Sequence, residues 1–192
     1  NGSSIEDPQN LSAGSYSVDV RDAKGCLVKT SVVVAQPDSL ALSVTKQNTT
    51  CAGNNTGSID LSVQGGVSPF TYLWSNNATT QDISSLLSGR YTVIVTDKNG
   101  CKVNGEAIVA QPDSLKATFI QTNVLCFEGT NGAIDLTVVG GTSPYSYAWS
   151  NGAQTQDVTG LKAGTYTATV KDANLCEVQL SVIISQPDSL HI

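Results

Sequence analysis

The pentapeptide Gln36-Pro37-Asp38-Ser39-Leu40 returns at positions 111–115 and again at 186–190, so the chain repeats with one fixed period. Cys26, Cys101 and Cys176 keep that spacing, as do Cys51 and Cys126, and Trp74 and Trp149. Aligned without a gap, residues 41–115 and 116–190 agree at about 34 of 75 positions. A fixed period of this kind means one folded block per repeat, stacked on its neighbours. Residues 1–40 align with 76–115, so the chain divides into the C-terminal half of a repeat (1–40), a complete repeat (41–115), and a second complete repeat with the start of the next joint (116–192).

Within a repeat the apolar residues alternate. Ile59, Leu61 and Val63 interleave with Ser58, Asp60, Ser62 and Gln64, and Ile134, Leu136 and Val138 do the same one period later. Period two marks half-buried strands. Phe70, Tyr72 and Trp74 form an aromatic face suited to filling a core. Tyr91, Val93 and Val95 alternate up to Asp97-Lys98-Asn99-Gly100, a hairpin signal because Asn and Gly both tolerate positive φ. Partner strands are expected over 103–109 and from Leu40 to about Gln47. Helical periodicity is absent, and Gly65-Gly66 with Pro69 punctuates the chain too closely for helices. Six or seven short strands in each repeat predict an all-β chain of tandem immunoglobulin-like sandwiches. Leu86, Gly89 and Tyr91, repeated as Leu161, Gly164, Tyr166 and as Leu11, Gly14, Tyr16, read as a tyrosine-corner bend.

Composition removes several function classes. The net charge is −6, from 10 Lys+Arg against 16 Asp+Glu, with no basic cluster to neutralise phosphates, so nucleic acid is not an expected partner. The lone histidine, His191, sits beside the C-terminus, which argues against a His base, a Ser–His–Asp relay or a His-ligated zinc. No stretch approaches the roughly 20 apolar residues of a membrane-spanning helix. The chain starts without Met and in mid-repeat, and reads as a segment of something longer.

Taken together, the recurring residues match a known pattern. Cys51-x-Gly-x-Asn-x-Gly57-Ser-Ile-Asp-Leu, Gly65-Gly66, Pro69-Phe-Thr-Tyr, Trp74-Ser-Asn, Thr80-Gln-Asp, Leu86, Gly89, Tyr91-Thr-Val and Asp97-x-Asn-Gly-Cys101 resemble the SprB repeat. So does 126–176, although Glu128 and Leu175 stand where glycine is usual. The resemblance implies a large filamentous adhesin on the surface of gliding bacteria of the Bacteroidetes type, exported by the type nine secretion system. Its implied partners are neighbouring repeats of the same chain, the motility and secretion machinery, and surface polysaccharide. An extracellular, non-enzymatic stalk segment is therefore expected, without cofactor. The alternative is an array of carbohydrate-binding modules that stack sugars on exposed aromatics such as Trp74.

The candidate sites divide along the same lines. Asp60, Asp82 and Asp97 are the carboxylates a glycosidase would need, but they read as strand-surface and turn residues. Asp38, Asp113 and Asp188 at the joints, with the turn residues Asp22, Asp97 and Asp172, could approach a calcium ion, yet no dense acidic run supports a metal. Secretion makes disulfides the expected state of the five cysteines. Pairing Cys51 with Cys101 and Cys126 with Cys176 staples each repeat and is the preferred reading. Pairing Cys26–Cys51 and Cys101–Cys126 across the joints, or Cys51–Cys176 from one repeat's first loop to the next repeat's hairpin, remains open. Finally, Asp-Ser-Leu at Ser39, Ser114 and Ser189 resembles an O-glycosylation acceptor of that bacterial group, so these serines are expected to carry glycans.

Overall fold

The fold is described for residues 7–190, from a computed structural model; His191 lies outside them. Fourteen strands and no helix occur among them. The half repeat forms one antiparallel hairpin, β1 (Gly14–Arg21) with β2 (Leu27–Val34). The first complete repeat holds β3 (Ala41–Gln47), β4 (Gly57–Gln64), β5 (Thr71–Trp74), β6 (Ile83–Leu86), β7 (Gly89–Thr96) and β8 (Lys102–Val109). The second repeats them as β9 (Lys116–Thr122), β10 (Gly132–Val139), β11 (Ser146–Trp149), β12 (Val158–Leu161), β13 (Gly164–Lys171) and β14 (Glu177–Ile184).

Each complete repeat is a sandwich of two three-stranded antiparallel sheets, β3-β4-β6 against β5-β7-β8, and β9-β10-β12 against β11-β13-β14. Period two explains the layering. Ile59 and Leu61 of β4 and Val93 and Val95 of β7 are buried, while Asp60 and Thr92 face outward. Trp74, Ile83, Leu86, Ala107 and Val109 complete that core, and Trp149, Val158, Leu161, Val182 and Ile184 occupy the equivalent places in the second. Burying a Val, Leu or Ile stabilises by about 1.5–3 kcal/mol, so cores of this size carry most of each repeat's stability. The hairpin of the half repeat shows the converse. Val18 and Val20, one period before Val93 and Val95, are 50% and 58% exposed, because among the described residues no second sheet covers them.

Strand direction sets what lies at each end of a sandwich. In the first complete repeat β3 starts at the end where the chain enters from the joint, and β4 returns to it. Strands β5 and β6 are each 4 residues long and lie in different sheets. Both run antiparallel to the strand beside them, β5 to β7 and β6 to β4, so together they make a single pass away from the entry end. β7 returns, and β8 leaves again toward the next joint. Three passes therefore separate the loop after β3 from the hairpin before β8. The first lies at the exit end, where Thr49 N donates to Ala110 O (3.0 Å). The second lies at the entry end, where Lys98 N donates to Val67 O (2.9 Å).

Candidate functional site at the joint

The residues that recur without change meet at the joint between the two complete repeats. Gln111 belongs to the repeat behind it: its side-chain oxygen accepts from Gly53 N (3.0 Å) and from the Ser88 hydroxyl (2.9 Å). Asp113 belongs to the repeat ahead, since its carbonyl accepts from Gly141 N at 2.8 Å. Asp38 does the same toward Gly66 N at 2.9 Å. Gly140 lies so close to Ser114 that an added Cβ would stand 2.1 Å from the Ser114 carbonyl oxygen, and Leu115 packs beside Gly141. Gly140 has φ of +72°, a left-handed conformation that favours glycine. The pentapeptide is thus a two-sided clasp. Its constant length from copy to copy follows from contacts at both of its ends.

The Asp97 and Asp172 turns brace the entry end. Asp97 accepts from Asn99 N (2.9 Å) and Cys101 N (2.8 Å) through one carboxylate oxygen and from Val67 N (3.0 Å) through the other. Burial pushes this carboxyl up, but the backbone N–H groups of Cys101, Val67 and Asn99 outweigh it, and the group sits below the ordinary carboxylate value of 3.8. Asp172 makes the same three contacts, with Asn174 N, Cys176 N and Thr142 N, each at 2.9 Å. Both side chains are buried. Their oxygens are engaged by backbone, and among the described residues no three His, Cys, Asp or Glu side chains gather as a metal set. Asp82 accepts from Leu61 N at 2.9 Å, and Asp60 faces outward on β4.

A disulfide crosses this joint. Cys51 in the exit-end loop of the first complete repeat is bonded to Cys176 in the entry-end hairpin of the second, with Cα atoms 5.7 Å apart. The expected within-repeat pairs Cys51–Cys101 and Cys126–Cys176 do not form. The three-pass connection sends the two cysteines of one repeat to opposite ends of its sandwich, and a disulfide cannot span Cα atoms more than about 7 Å apart. Cys26, Cys101 and Cys126 are free and exposed, so the Cys26–Cys51 and Cys101–Cys126 joint pairs are absent too. Beside the bridge, the Asn174 side-chain amide donates to the Thr50 carbonyl across the interface and to the Thr142 hydroxyl within its own repeat, each at 3.1 Å.

Trp74 and Trp149 turn inward. They are 2% and 5% exposed, and their indole N–H groups donate to Thr80 O and Thr155 O at 2.9 Å. That leaves neither ring a face for a sugar. Tyr91, Tyr166 and Tyr16 donate their hydroxyls to Leu87 O (3.0 Å), Lys162 O (3.1 Å) and Ser12 O (2.7 Å), the same short step upstream in each case. Ser39 and Ser114 are exposed at the joints and Ser189 is half-buried.

Comparison with known proteins finds the same repeat. The family model described as the SprB repeat matches residues 43–79 and 118–154, the equivalent segment of each complete repeat. The chain carries SprB repeats. No curated protein sequence matches it. Solved structures similar to it include three N-terminal domains of the bacteriophage RB49 highly immunogenic outer capsid protein, at 19% identity over 77% of this chain and 59% of that one, with a TM-score of 0.47. A C-terminal 282-residue intimin fragment, in complex with the intimin-binding domain of its translocated receptor, matches at 17% identity over 76% of this chain and 64% of that one, TM-score 0.40. A Dscam structure matches at 13% identity over 85% and 52%, TM-score 0.34. The chain spans 59% of the first of these. SprB repeats belong to cell-surface proteins, and the match supports an adhesin-type repeat module. Among the described residues no helix is long and apolar enough to cross a membrane.

Proposed function

We propose that the chain is a stalk segment of a filamentous cell-surface adhesin whose work is mechanical: it holds a distant binding region away from the cell. The observation that supports this most is the two-sided clasp at the joint, with Gln111 fastened behind and Asp113 and Ser114 fastened ahead. Identical joints impose one rotation per repeat, which is what a regular extended filament requires. Gliding motility, type nine export and contact with surface polysaccharide follow from the family resemblance and belong to this proposal. So do glycans on Ser39, Ser114 and Ser189, where a hydrated group would shield joint backbone from proteases. Immunogold electron microscopy with an antibody to residues 41–190 tests the reading on intact producing cells. Label spaced along surface filaments is the expected result, and label confined to the cell interior would contradict it. Intact-mass measurement on the natively secreted protein decides the glycans separately, an unmodified mass ruling them out.

A further inference from the structure

We propose that the Cys51–Cys176 bridge makes the repeat array nearly inextensible, because tension runs along a covalent line that bypasses both sandwich interiors. The line can be followed element by element. From Cys26 it passes up β2, through the joint at 36–40 and up β3 to Cys51. The disulfide then carries it directly to Cys176, and β14 takes it to the joint at 186–190. Every regular element on this line is a strand running the same way, from entry end to exit end. Strand residues advance about 3.3 Å each and a fully stretched chain at most about 3.6 Å, so the strands on this line have only about a tenth of their length left to give and the remaining slack lies in the short joints and loops. The segment from 52 to 175 lies inside the loop that the bridge closes and cannot be drawn out.

The second line is built alike. Cys101, β8, the joint at 111–115, β9 and Cys126 follow one another in the same order, across two repeats. Cys101 and Cys126 stand one period from Cys176 and Cys51, so each is placed to bond the matching cysteine of a further repeat clasped at its end. Two thiols would close that bond by exchange with a small-molecule disulfide, which takes up both electrons and both protons and leaves as two thiols. Two interleaved cables would then run through the array, one crossing each joint by backbone and the other by disulfide.

The test is single-molecule extension of the full chain carrying Cys101→Ser and Cys126→Ser. One handle is attached to Cys26 through a thioether and the other to the C-terminus. With the bridge intact, the distance between handles should grow by less than about 50 Å at any force short of bond rupture. After reduction the same molecules should reach about 600 Å, the stretched length of the chain from Cys26 to Ile192. Growth beyond about 50 Å in the oxidised chain overturns the proposal, and so does failure of reduction to release the difference.

Discussion

Gly140→Ala probes the clasp at its tightest point, and Gly152→Ala in the same repeat is its control. Both glycines have left-handed φ, +72° and +86°. An alanine there costs about 1–2 kcal/mol for conformation alone. At Gly152 nothing lies within 4 Å of the new methyl, so the conformational cost is the whole effect. At Gly140 the methyl would stand 2.1 Å from the Ser114 carbonyl oxygen and 2.9 Å from its carbon. Backbone must shift to admit it, and forced overpacking adds about 1–3 kcal/mol. Gly140→Ala should therefore be the more destabilising variant by about 1–3 kcal/mol, read as the difference in urea midpoint with an unchanged slope. Equal losses would show that the joint is not seated against the next repeat, and the two-sided clasp would have to be abandoned.

Leu136→Ala removes a side chain with no exposed surface at the centre of the second core, and should cost about 2–5 kcal/mol by chemical denaturation. Acid should loosen the entry-end turn at Asp97. Because the folded Asp97 sits below its unfolded value of 3.8, the folded chain binds fewer protons there; the stability it contributes is full above about pH 5 and is lost as pH falls through that value and below. In a denaturation series from neutral to strongly acid pH, Asp97→Asn should show a smaller acid-dependent loss than the parent chain. Trp74→Phe should lower stability through the lost hydrogen bond to Thr80 and the lost volume, measured by thermal unfolding, while polysaccharide pull-down by the folded variant stays the same as by the parent.

Sandwich architecture is legible in the sequence because it rests on local, periodic features: alternation in 58–64, the Asn99-Gly100 turn and the recurring pentapeptide. Asp97 as a turn-capping carboxylate is legible for the same reason. Disulfide partners are not. Pairing depends on which end of the sandwich each cysteine reaches, hence on the parity of passes between Cys51 and Cys101. That parity turns on β5 and β6, two short strands in different sheets that make one pass rather than two. Neither the inward-facing Trp74 nor the alternation around it reveals such a switch between sheets. The leucine that closes each pentapeptide is equally opaque. Leu40 and Leu115 pack beside Gly66 and Gly141 of the repeat ahead, contacts made across a whole hairpin that no local pattern announces. The cis peptides before Pro69 and Pro144 leave no mark in the sequence either.

Peptide mapping of the oxidised chain without reductant, after alkylation of free thiols, addresses the joint most directly. One crosslinked species should join the peptides of Cys51 and Cys176, with the alkyl label on Cys26, Cys101 and Cys126. Recovery of Cys51–Cys101 and Cys126–Cys176 instead would mean that each repeat is closed on itself, and that adjacent repeats are not covalently fastened at all.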